Sequence, residues 1–245
     1  LLMRGAGRCS RALVASALSQ RRGAPLLVVV PTLEEAGRWT ALLELMGWSQ
    51  ASLYPTSEGS PYEPFDPTSE ITWGQLQVLS DQLGEPNAAS WAIVATERCL
   101  QPHLPPPDVL KTKTRTLRKG DEVDLEALGE TLAQLGYERV TTIEQEGSWS
   151  RRGDIVDIFP VSSELPVRLE FFGEELDKLR EFDPASQRSL DPVDALRLTP
   201  TGLGPLIADQ LKETMPDGLE QLLGAEGTEQ LLNGGTPEGM RRLMG

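Results

Sequence analysis

The chain has 245 residues and a formal net charge of −14, with 23 Lys+Arg against 37 Asp+Glu. Such an acidic chain does not present a general phosphate-binding surface. Its longest apolar run, Leu26–Val30, is far shorter than the roughly 20 residues of a membrane span, so no span is expected. Two cysteines, Cys9 and Cys99, exclude a disulfide framework, and the single histidine, His103, argues against a His-rich zinc site or a Ser/His/Asp triad. The chain starts on Leu and lacks a signal peptide and a tail, which reads as a fragment of a longer cytoplasmic protein.

In chain order, Leu1–Met3 reads as the end of a buried strand, Gly5-Ala6-Gly7 as a turn, and Ser10–Ser19 as a helix. Leu26–Val30 is β-branched and apolar, the pattern of a parallel strand buried on both faces. Thr32-Leu33-Glu34-Glu35 has the spacing of a capping box and starts a helix running to Gly47. Tyr54–Asp66, with Tyr62 and Phe65, is a loop, and a helix follows near Glu70. Trp91–Thr96 is another short strand. This order implies an α/β domain with a parallel sheet over residues 1–110. The prolines of 102–107 mark a boundary.

The segment 111–200 reads as a small α+β domain. Lys111–Lys119 alternates Thr with Lys/Arg and is expected to be a solvated strand. Leu125, Leu128, Leu132 and Leu135 form one helical stripe. Ile155–Phe159, Val167–Phe172 and Leu176–Phe182 read as strands of an antiparallel sheet, the last two joined by a turn at Gly173-Glu174-Glu175. Residues 201–245 read as helical and acidic.

Two stretches bear on function. A strand, a Gly-rich turn and a helix form the usual phosphate cradle, but G-x-x-x-x-G-K-[ST] is not met. Gly7 takes the last glycine position, Arg8 the lysine position and Cys9 the hydroxyl position, while Leu2 stands where the first glycine belongs. A thiol is a poor Mg²⁺ ligand, so Gly5, Gly7, Arg8 and Cys9 read as a degenerate nucleotide loop. In Val167–Phe172, strand alternation sends Val167, Leu169 and Phe171 to the core and Arg168, Glu170 and Phe172 to the other face. An outward Phe beside an Arg is a docking signature, to which Arg152 would add. The plainer alternative covers Phe172 and pairs Arg168 with Glu170 or Asp177. Asp154 and Asp157, three apart on a strand, are assigned no catalysis.

The motifs Arg152-Gly153-Asp154-Ile155-Val156-Asp157-Ile158-Phe159-Pro160, Arg168-Leu169-Glu170-Phe171-Phe172-Gly173-Glu174-Glu175 and Phe182-Asp183-Pro184-Ala185-Ser186-Gln187-Arg188-Ser189 together resemble the N-terminal, UvrB-like module of bacterial transcription-repair coupling factors, the Mfd family. The resemblance implies a degenerate RecA-like domain 1a of the P-loop NTPase fold at 1–110. It implies a UvrA-binding domain 2 at 111–200 and the start of domain 1b at 201–245. It places the UvrA contacts on Arg152, Arg168 and Phe172. It also implies a non-catalytic segment holding no cofactor. The motor, with ATP and Mg²⁺ and contacts to RNA polymerase and double-stranded DNA, would lie downstream in the full-length translocase that starts nucleotide excision repair. The alternative relative is a UvrB-type helicase subunit that binds ATP and damaged DNA. The broken loop and the short Tyr62–Glu70 stretch, with no room for that relative's long β-hairpin, argue against it. Residual ATP binding at Gly5–Cys9 and DNA binding at Lys113, Arg115 and Arg118 remain competing expectations.

Overall fold

A computed structural model of the chain describes residues 3–56, 70–84, 91–100, 104–161, 163–235 and 237. The chain forms two compact units, Leu1–Tyr62 with Val78–Leu104, and Glu63–Gln77 with Pro105–Gly245. Leu1, Leu2, Tyr62, Phe65, His103 and the last eight residues lie outside the described residues, as does most of the Tyr54–Asp66 loop. Met3 is irregular rather than strand.

The first unit contains α1 (Arg8–Arg22), β1 (Leu26–Val30), α2 (Leu33–Leu45), β2 (Gln50–Leu53), the end of α3 (Glu70–Gly84) and β3 (Trp91–Thr96). The strands pair in parallel in the order β1-β3-β2. The Thr32 hydroxyl accepts the Glu35 N–H at 3.2 Å, so the cap predicted from spacing starts α2. Ala36 and Leu43 of α2 pack with Val28, Val30, Ala92 and Val94. Helix α1 buries only small residues, Ala12, Ser16 and Ser19, and the Trp48 indole donates to the Ser16 hydroxyl at 2.9 Å.

One expectation fails here, and one strand goes unread. Strand β1 is not buried on both faces, because Leu27 and Val29 are 56% and 43% exposed. The strand lies at a sheet edge among the described residues, and α2 covers one face only. Strand β2 escaped the sequence reading because four residues rich in polar side chains carry no periodicity.

The second unit contains the start of α3, then α4 (Pro107–Thr112), β4 (Arg115–Arg118), α5 (Leu125–Gln134), β5 (Glu138–Arg139), β6 (Ser148–Arg152), β7 (Ile155–Phe159), β8 (Val167–Phe172), β9 (Glu175–Phe182), β10 (Ser189–Pro192), β11 (Ala195–Leu198), α6 (Gly204–Glu213) and α7 (Leu219–Leu232). One sheet runs β10-β9-β8-β7-β6-β5, antiparallel except for the β5–β6 pair, and β11 pairs with β4. The Asp124 carboxylate caps α5 by accepting the Glu126 and Ala127 N–H groups at 2.7 and 3.1 Å. The stripe Leu128, Leu132 and Leu135 then packs on the sheet with Trp149, Val156 and Leu169. A Cβ at Gly129 would meet the Trp149 ring at 3.0 Å, so glycine there permits the close approach of helix to sheet.

Lys111–Lys119 is not a solvated strand. Its first two residues end α4, only Arg115–Arg118 is strand, and Leu117 is buried against β11. Chain reversal between β8 and β9 uses just Gly173 and Glu174; Gly173 has φ 65°, and Glu175 already pairs with Phe172. No described helix is long and apolar enough to cross a membrane.

Candidate functional site

Strand register fixes which side chains share the face of the large sheet turned away from α5. Arg152 lies opposite Ile155, Ser150 opposite Asp157, Asp157 opposite Arg168 and Ile155 opposite Glu170. On β9, Lys178 and Arg180 stand opposite Glu170 and Arg168. One end of this face is roofed. Phe159 and Phe182 are buried there with Ile143 of the 140–147 segment. The Gln187 amide donates to the Ile143 and Pro184 carbonyls at 3.1 and 2.7 Å, tying the 183–188 loop down.

The other end is bare. Val167, Leu169 and Phe171 are buried as alternation predicts, and Phe172 is 84% exposed. Ile155, on the neighbouring strand, is 39% exposed. It is diagonal to Phe172 in the register, a spacing within reach of an aromatic side chain. Arg152 is exposed, and its Nη2 donates to the Thr141 carbonyl at 2.8 Å. It is the last residue of β6 rather than a residue before the first strand. The three predicted contact residues thus lie on one face.

Arg168 is held differently from either sequence alternative. Its Nε and Nη2 donate to the two Asp157 oxygens at 2.7 and 2.9 Å, and its Nη1 to the Gln187 carbonyl at 3.4 Å. The guanidinium lies 4.7 Å from the centroid of the Phe182 ring. Asp157 is only 4% exposed and Arg168 is half-buried, so this is a bidentate, charge-assisted pair with a buried carboxylate. The Asp157 hydrogen bond holds the Arg168 pKa above the usual arginine range. Glu170 pairs instead with Lys178 at 3.2 Å, and Asp177 approaches Lys178 and Lys119 at 3.6 and 3.8 Å.

Gln187 and Ile155 were not singled out from the sequence, and Asp157 was weighed only for catalysis and not as the partner of Arg168. The alternation applied to β8 finds that partner when applied to β7, since Val156 and Ile158 face the core and Asp157 then shares the face of Arg168. Gln187 gives no such signal. It has φ 60°, a left-handed conformation that a non-glycine residue rarely adopts.

At the glycine turn of the first unit the cation is already paired. Arg8 folds back onto α2, where its Nε and Nη2 donate to the two Glu35 oxygens at 2.8 and 2.7 Å. This pairing raises the Arg8 pKa and lowers that of Glu35. Gly7 caps α1 without a side chain, and Cys9 is exposed as a free thiol. A Cβ added at Gly5 or Gly7 would meet nothing within 4 Å, and φ 70° at Gly5 favours glycine there. Among the described residues no group of His, Cys, Asp or Glu is arranged to hold a metal.

Residues 116–203 match the UvrB interaction domain family. The chain is 31% identical over 189 residues to the transcription-repair-coupling factor of Haemophilus influenzae, covering 77% of this chain and 16% of that protein. It is 30% identical over 183 residues to that of Escherichia coli, covering 75% and 16%, and 34% identical over 192 residues to that of Mycobacterium bovis, covering 76% and 15%. The chain therefore spans about 16% of the length of these curated relatives. Residues 116–203 carry a UvrB interaction domain, and the chain is homologous to the N-terminal segment of the transcription-repair-coupling factors.

Proposed function

We propose that this segment recruits UvrA through the face of the second unit's large sheet turned away from α5, with Phe172 as the central anchor at its bare end and Arg152 and Arg168 farther along the same face. The observation that carries the reading is the 84% exposure of Phe172 on a face with two arginines. An aromatic ring left in water inside an ordered strand gains most by entering a partner's hollow, and aromatic and Arg side chains dominate such anchors. The first unit, in this reading, is a RecA-like domain that scaffolds and does not hydrolyse nucleotide. Arg8 is already engaged by Glu35 and Cys9 replaces the metal-binding hydroxyl, which supports that part. The longer cytoplasmic protein would be an ATP-dependent DNA translocase, its motor and its contacts to RNA polymerase and DNA lying outside these residues.

Titration of UvrA onto the chain tests the docking reading. Phe172→Ala is expected to weaken binding by about 2 kcal/mol, some thirtyfold, with its melting midpoint unchanged because the ring is exposed. Unchanged affinity would overturn it. Incubation with labelled ATP and Mg²⁺ tests the other half, and saturable hydrolysis would restore the UvrB-type enzyme as the better reading.

A further inference from the structure

Arg168 is not a free cation. A guanidinium has five N–H groups, and Nε–H, one of Nη2 and one of Nη1 are engaged by Asp157 and Gln187. Two N–H donors have no acceptor among the described residues. The side chain keeps 19% of its surface in water, against 6% for Asp157. The plane is fixed from three sides, by the carboxylate, by the Gln187 carbonyl and by the Phe182 ring. Arg168 thus meets a partner as a held guanidinium with two N–H donors unengaged among the described residues and its charge already balanced by a buried carboxylate.

We infer that Asp157 is a positioning residue for docking: it turns Arg168 from a charge into a directional pair of donors for a neutral acceptor, a backbone carbonyl or side-chain amide of the partner. A second carboxylate held by Arg168 alone, out of reach of Arg180 on the neighbouring strand, would leave the desolvated pair with unbalanced negative charge, which the low local dielectric penalises. A neutral acceptor leaves it balanced. The contact then depends on geometry and hardly on salt, unlike a rim ion pair. The inference rests on the UvrA reading and deepens it.

Three variants of the full chain are titrated with UvrA at low and high salt, with folding followed by circular dichroism. Asp157→Asn keeps the shape and removes the charge. It is expected to weaken binding about tenfold at high salt and to make affinity more salt-dependent than in the parent, since Arg168 is then an uncompensated cation. Arg168→Lys keeps the charge and an ion pair with Asp157 but loses the fork, and is expected to weaken binding about tenfold at both salt concentrations. Parent-like affinity of Arg168→Lys, or parent-like affinity and salt dependence of a folded Asp157→Asn, overturns the inference. If Asp157→Asn does not fold, Arg168→Lys decides alone. Phe172→Ala separates the two levels. Loss there with parent-like Arg168→Lys sinks only the positioning role, and no loss at Phe172 sinks the docking reading as well.

Discussion

The same side-chain pairing occurs in both units with opposite consequences. Arg8–Glu35 and Arg168–Asp157 are each bidentate, with N–O distances from 2.7 to 2.9 Å. Arg8 and Glu35 keep 32% and 35% of their side-chain surface in water, whereas Arg168 and Asp157 keep 19% and 6%. In the first unit the pair draws a cation away from a glycine turn. In the second it fixes a cation over the buried Phe182 ring, on the sheet face that also carries the exposed Phe172. Geometry alone therefore does not say what an arginine–carboxylate fork does; burial and neighbours decide.

The sharpest way to break this contrast is truncation of each arginine. Arg168→Ala leaves Asp157 buried and unpaired, and is expected to destabilise the second unit by about 3 kcal/mol or more in urea unfolding. That loss should persist in 1 M salt. Arg8→Ala is expected to move the unfolding midpoint slightly, and only at low salt, because water screens an exposed pair. Equal effects of the two would erase the distinction. Smaller again is the α5 cap: Asp124→Ala removes the acceptor of two N–H groups and should cost about 1 kcal/mol. The gentlest probe is alkaline pH. Burial pushes the Tyr54 hydroxyl up to about 12 and raises that of Tyr137 as well. A folded-state pKa raised above the unfolded value near 10 gives stability that is complete below about pH 10 and lost as pH rises towards 12. Ultraviolet titration of phenolate should show these tyrosines ionising late, in step with unfolding; a simple titration at pH 10 would contradict their burial.

Much of this architecture was readable before the structure because local signals agreed. The β8 alternation separated Phe171 from Phe172, leucine spacing gave α5, and Thr32 with Glu35 gave the start of α2. What was missed depends on partners distant in sequence. Arg168 was matched with nearby acids, yet its carboxylate lies eleven residues back on a cross-strand neighbour. Strand β6 reads as Ser-Trp-Ser-Arg-Arg, too polar to declare itself, and becomes a strand because β7 folds back on it. The bareness of Leu27 and Val29 reflects how few elements cover β1, which no residue of β1 encodes.

The left-handed backbone at Gln187 sets a limit on engineering this fold. Gln187→Gly would release conformational strain on the order of 1 kcal/mol. It would also cut the amide tethers to Ile143 and Pro184 and slacken the carbonyl that steadies Arg168. Those lost hydrogen bonds, with the added freedom of a glycine in the unfolded chain, offset the strain released, so a strained glutamine is retained at no net loss of stability and keeps the Arg168 carbonyl partner in place.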